Sequence, residues 1–256
     1  MQDCFSRRFY KENKMLFGRF ARSVVLAPMI LLVACGGGGG GGGSAAAPTT
    51  FPIAAAMRAK LTNGMQVPIV LDGRVFNLKV QGESTLFFGR AGAATFNGQA
   101  GMSSETNLSV NVTIESYGSS LGLYSDTAYY DSNYNLLGSL SQSTIDGNGP
   151  SNSVVTAYHP LPESARVNDS GAFYEAITYA MQSQTTVKHN DVATYLVKAD
   201  SANSVLLELT TKFYGLDDSL METRIESYRV TGSGAISFVS LQISEISGNF
   251  TNISAK

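Results

Sequence analysis

From Phe51 to the end of the chain, apolar and polar residues alternate with a period of two, which restricts this region to β-strands. Leu108, Val110, Val112 and Ile114 are separated by Ser109, Asn111 and Thr113. Phe76, Leu78 and Val80 alternate with Asn77 and Lys79. Ile177, Tyr179 and Met181 alternate with Thr178 and Ala180. Val205, Leu207, Leu209 and Thr211 face away from Glu208, Thr210 and Lys212, and Ser237, Val239, Leu241 and Ile243 close the series. Successive side chains of a strand point to opposite faces, so each run offers one face to a core and one to water. On that reading Glu222, Arg224 and Glu226 are a charged outer face opposite Met221, Thr223 and Ile225.

Turn signals divide the runs. Asn63-Gly64, Asp72-Gly73 and Asn97-Gly98 suit two-residue hairpins that need positive φ. Further reversals are expected at Asp131-Ser132-Asn133, Asp146-Gly147-Asn148-Gly149, Asn168 to Gly171, Leu216 to Ser219 and Gly232-Ser233-Gly234. The sole helix candidate runs from Phe51 to Leu61. The fold class is therefore all-β: an antiparallel meander closed as a barrel, or left open as a half-barrel sheet. Thr127-Ala128-Tyr129-Tyr130 echoes Thr211-Lys212-Phe213-Tyr214, which suggests two related halves, 62–150 and 154–253, sharing one core. Pro160 and Pro162, which remove two ladder donors, mark the connection between them.

The beginning of the chain has a different character. Arg7, Arg8, Lys11, Lys14, Arg19 and Arg22 precede an uncharged stretch from Val24 to Ala34. These eleven uncharged residues, Pro28 among them, are too few for a bilayer span, which takes about twenty, but they suit the apolar region of a secretory signal. Gly36 to Gly43 and Ser44 to Pro48 then read as a flexible tether. The glycine run lacks the Lys-Ser/Thr of a phosphate-binding loop. The organisation expected is a signal over 1–34, a lipidated cysteine and linker over 35–50, and a β-rich domain over 51–256. Starting at Met15 gives a more compact signal.

Leu32-Val33-Ala34-Cys35 resembles the lipobox of bacterial lipoproteins. That resemblance implies diacylglyceryl transfer to the Cys35 sulfur, cleavage before Cys35 and acylation of the new amino group. Several acyl chains at ~0.8 kcal/mol per buried methylene make a stable anchor, where one chain is marginal. Gly36, in place of the Asp that often retains such proteins in the inner membrane, implies the outer membrane. The glycine run, Tyr130 to Tyr134, and Leu161-Pro162-Glu163 with Val167 to Gly171 together resemble β-proteobacterial glycine-tract lipoproteins, a class that implies a location and no activity. The lipid bilayer is then the expected partner, with an envelope protein or an apolar ligand as further candidates. Beyond the signal, twelve basic residues face eighteen acidic ones, a net charge near −6 that argues against nucleic acid.

Chemistry is harder to find. Only His159 and His189 could serve as a catalytic base, and no Gly-x-Ser-x-Gly elbow accompanies them; both are expected in loops. A calcium loop starting at Asp146 fails at its fifth and twelfth positions, Pro150 and Ala157. Asp217, Asp218 and Glu222 read as a solvated turn. No catalytic, metal or cofactor residue is assigned. Tyr124, Tyr129, Tyr130 and Tyr134 crowd into eleven residues and are a candidate aromatic binding surface, although packing on both faces of a hairpin explains them as well. The function expected is a non-enzymatic envelope binding or structural domain; the alternatives are a half-barrel carrier of an apolar ligand and a hydrolase with dispersed carboxylates. The lipid anchor is directly testable: globomycin treatment of expressing cells should accumulate a larger precursor. A C35A chain processed and fractionated like wild type would rule the anchor out.

Overall fold

The computed structural model describes residues 49–75, 78–115, 118–143, 150–180 and 184–256. The signal, Cys35, the glycine tract, Phe76, the turn at Asp146 and Met181 lie outside the described residues. The described residues form one compact unit.

One helix, α1 (Ile53–Asn63), precedes thirteen strands: β1 (Met65–Val75), β2 (Leu78–Phe88), β3 (Gly92–Phe96), β4 (Gln99–Ile114), β5 (Gly118–Tyr130), β6 (Leu136–Ser143), β7 (Ser151–Tyr158), β8 (Ser170–Tyr179), β9 (Val187–Ser201), β10 (Ser204–Tyr214), β11 (Leu220–Thr231), β12 (Ile236–Glu245) and β13 (Phe250–Ala255). From β4 to β13 each strand pairs antiparallel with the next. β1 pairs with both β2 and β13, and β2 pairs with β4, so twelve strands close into a barrel. β3 continues the course of β2 along the far part of β4, where Gly89 donates its N–H to the Glu105 carbonyl. Of the two sheet forms expected, the closed one is realised. Closure gives each barrel strand two neighbours and removes the edges that would template aggregation.

Hydrogen bonding runs unbroken from β6 to β7, across the division between the expected halves. The echoed segments end β5 and β10, which are five strands apart and so run in opposite directions. Pro160 and Pro162 do occupy the β7–β8 connection.

Asn97-Gly98 turns between β3 and β4 with φ of 49° and 81°, the left-handed pair that such a hairpin needs. Asn63-Gly64 instead ends the helix, Gly64 donating to the Lys60 carbonyl at φ 68°. Asp72-Gly73 lies inside β1, where a Cβ on Gly73 would strike the Phe250 carbonyl of β13; that glycine serves interstrand approach.

An eight-stranded barrel is filled by its own side chains, whereas sixteen strands leave a channel. Twelve leave a lumen that must be partly occupied, and two structures occupy it. Across β1, β2, β4 and β11–β13, Ile69, Leu86, Phe88, Val110, Tyr228 and Phe238 form an apolar wall. At one end α1 packs Ile53 and Ala56 against Val197, Val205, Leu207 and Val230 of β9–β11. Phe51 bridges to Ala165 in the β7–β8 connection, and Arg58 pairs with Glu163 at 2.7 Å, so that connection and the helix plug the end together. The exposed outer side chains of β2 and β4 include Lys79, Gln81, Glu83, Glu105, Ser109 and Asn111. That wall suits water, unlike the apolar band of a transmembrane barrel. No helix among the described residues is long and apolar enough to cross a membrane.

Two strands present the opposite face from the one expected. Glu222, Arg224 and Glu226 line the lumen, in phase with fully buried Tyr228 and Val230, and Thr178 points inward, 1% exposed, leaving Ile177 and Tyr179 outside. The alternation is correct; the face is reversed because this part of the interior is polar. On β12 a register shift opposite Ser227/Tyr228 puts Phe238 inward and breaks the simple alternation through Val239.

On the outer wall, Phe96 stacks on Tyr129 at 4.7 Å and lies over Gly138 of β6. A Cβ on Gly138 would meet the Phe96 ring at 2.6 Å as well as the Ser153 carbonyl. G138A should cost about 1–3 kcal/mol, and lower the melting temperature by about 2–4 °C per kcal/mol in thermal unfolding.

Candidate ligand site in the barrel lumen

The apolar wall and the helix leave a cavity of about 200 Å³, open at the end opposite α1. Its lining comes from β5 to β11, the strands whose inward faces carry hydroxyls and charges. Polar lining is the consequence of sequence phase: Asp126 on β5 stands across from Ser141 on β6, and Ser139 and Ser141 stand across from Ser153 and Ser151 on β7.

Asp126 is the central group. Ser141 donates to its carboxylate, and burial pushes its carboxyl up from the usual range, against the hydroxyl bond and the pull of Arg224. Opposite it on β11, Glu226 accepts from the Tyr228 hydroxyl at 2.7 Å. Arg224 pairs with Glu222 and stacks over Phe213, its guanidinium carbon 4.7 Å from the ring centre. Lys60 reaches in from α1 over the rings of Phe88 and Tyr228, at 4.4 and 4.9 Å. Burial lowers the Lys60 ammonium, while Glu226 and Asp126 pull it back up. Tyr130 and Tyr174 titrate well above the ordinary tyrosine range, first because they are buried and also because Asp126 and Glu226 face them.

A second chain of bonds runs along β7, β8 and β9. His189 Nδ1 lies 2.5 Å from Asp191 Oδ1; the other Asp191 oxygen accepts from Thr178 at 2.8 Å; and Thr178 bonds Ser153. The hydroxyls sit on the carboxylate side of the pair, so the order of a Ser-His-Asp triad is not reproduced. His189 is an inward strand residue packed edge-on to Phe213 at 5.2 Å, where a loop position was expected. His159 is in the exposed connection, as expected.

The four candidate tyrosines are divided. Tyr124 lines the lumen and Tyr130 stands with Asp126 and Glu226; Tyr129 is outside against Phe96; Tyr134 is in the β5–β6 turn at φ 64°. They do not share one surface. Asp217 accepts from Ser219 within the exposed β10–β11 turn, apart from inward Glu222. Among the described residues no group of three or more His, Cys, Asp or Glu could hold a metal ion. A second, shallow concavity of about 700 Å³ lies on the outer wall beside Phe87, Leu123 and Pro150.

The charged lumen was hidden because a run such as Glu222-x-Arg224-x-Glu226 reads as solvent-facing unless its phase is followed to Tyr228 and Val230. His189 and Asp191, two apart on one strand, carry the same signal. No family model, curated protein or solved structure matches the chain.

The raised Asp126 carboxyl fixes a stability signature. The folded state binds this proton more tightly than the unfolded chain, so stability falls as pH rises from the unfolded aspartate value through the folded one. D126N should therefore melt higher than wild type at neutral pH. Its advantage should shrink as the pH approaches about 4, the ordinary aspartate value, in paired thermal melts.

Proposed function

We propose that this chain is a lipid-anchored protein of the bacterial outer membrane that binds a small polar ligand in its barrel lumen without chemical change to it. Cys35 would carry the acyl chains and the glycine tract would hold the barrel off the bilayer. The observation that carries the binding reading is the polar cavity, closed at one end by α1 and open at the other. The described residues begin at the plugged end, where Phe51 meets Ala165. The outer faces of β2 and β4 are polar, which supports anchoring by lipid and not by the strands. An apolar ligand suits the lumen poorly, since apolar side chains fill the interior elsewhere and the remaining space is hydroxyl- and charge-lined.

One observation favours a second reading. Asp126, kept toward its neutral form by burial, and Glu226 face one lumen, and carboxyls in unlike environments are the parts of an acid–base hydrolase.

Neighbouring residues of β8 separate these readings. A176F would fill the lumen, while I177F points outward as a control. Native mass spectrometry of the full chain after exposure to envelope extract should show an unaltered small molecule on wild type and I177F and none on A176F. Equal retention by A176F, or no adduct on any variant, would overturn lumen binding. A bound molecule that is cleaved by wild type and left intact by D126N/E226Q would overturn the non-enzymatic reading in favour of the hydrolase.

A further inference from the structure

The cations at the lumen wall are already matched by the protein. Arg224 is paired with Glu222 and stacked on Phe213; His189 is bonded to Asp191, which also accepts from Thr178; Glu226 accepts from Tyr228 with Lys60 close by. Lys188, also at the lining, is engaged as well. An anion entering here would have to take Arg224 from its carboxylate, and stripping a partner from an enclosed charge is costly. Two lumen carboxyls are held by hydroxyls and not by a bonded cation: Glu226 by Tyr228 and Asp126 by Ser141. Burial favours the neutral form of Asp126, and a neutral carboxyl both donates and accepts.

The rest of the lining has the same dual character. Ser139, Ser151, Ser153, Thr178 and Thr211 are hydroxyls lining the same space; those bonded to one another, to Asp191 or to Tyr174 keep acceptor positions for something that enters. Tyr124, Tyr174 and Phe213 add ring surface to this wall. At ~30 Å³ per water the cavity of about 200 Å³ holds roughly seven waters, below the size of a drug-like site.

We infer that the lumen takes a neutral, hydroxyl-rich molecule the size of one sugar ring, its hydroxyls exchanging hydrogen bonds with Asp126 and the Ser/Thr wall and its C–H face lying against the tyrosines. This rests on the binding reading above and names its ligand class. A ring of hydroxyls replaces several waters group for group, which a hydroxyl-lined cavity rewards and an apolar or singly charged ligand forfeits. A neutral ligand releases and displaces no counter-ion, so its binding is insensitive to salt.

The test is a calorimetric titration of the full chain in mild detergent with glucose, galactose, N-acetylglucosamine and inositol as neutral probes, putrescine as a dication and succinate as a dianion. At least one neutral probe should bind wild type, with affinity unchanged within about twofold between low and high salt, and fail to bind A176F. D126N, whose amide also donates and accepts, should hold that probe within about threefold, whereas D126L should lose about tenfold or more, the equivalent of a hydrogen bond of ~1.4 kcal/mol. Lumen-dependent binding of putrescine or succinate with no neutral probe bound overturns the ligand class and leaves the binding reading standing. Binding of a neutral probe that survives in A176F overturns both. Heats indistinguishable from dilution for every probe overturn the ligand class, and the adduct experiment above then decides the binding reading separately.

Discussion

The pairing of β2 with β4 is the interaction from which the rest of the molecule follows. Without it the strands would form a long open sheet with two free edges. With it β3 is displaced to the outside as an extension of β2, and twelve strands enclose a space wider than their own side chains can fill. The apolar wall on β1, β2, β4 and β11–β13 takes up part of that space and α1 takes up one end. What is left lies along β5 to β11, and those strands carry hydroxyls and charges on the inward face. Such groups, enclosed, must be bonded to one another or to something that enters.

This division of the interior explains which parts of the fold were legible in the sequence. The strands around the apolar wall obey the simple rule: Leu108, Val110 and Val112 point in, and Ser109, Asn111 and Thr113 point out. The helix, displaced by two residues from the expected Phe51 to Leu61, was legible from its alanine run. Along the lumen the rule inverts. Thr178 is buried while Ile177 is not, and Glu222, Arg224 and Glu226 share a face with Tyr228. Periodicity specifies that two faces exist and says nothing of which is inside. Only the neighbours on the ring, six or more strands of them, decide that.

The same limit applies to the candidate site. Asp126, Arg224, Glu226 and Lys60 come from three elements up to 166 residues apart, and no local spacing joins them. The tyrosine cluster was visible, yet the pleat divides it: Tyr124 and Tyr130 inward, Tyr129 outward. Asp72-Gly73 shows a related ambiguity, since a glycine that permits a turn and one that permits a neighbouring carbonyl to approach have the same sequence signature.

The account stands on the lumen being a space enclosed by the strands and plugged at one end by α1. Thiol accessibility measures this directly. In a full-length background with Cys4 and Cys35 replaced by serine, S153C places a thiol on the inward face of β7, and T156C places one on the exposed side of the same strand. The account predicts that a small methanethiosulfonate reagent modifies both positions, while a polymer-linked maleimide modifies T156C and spares S153C. Rapid modification of S153C by the polymer reagent, or complete resistance to the small one, would contradict it.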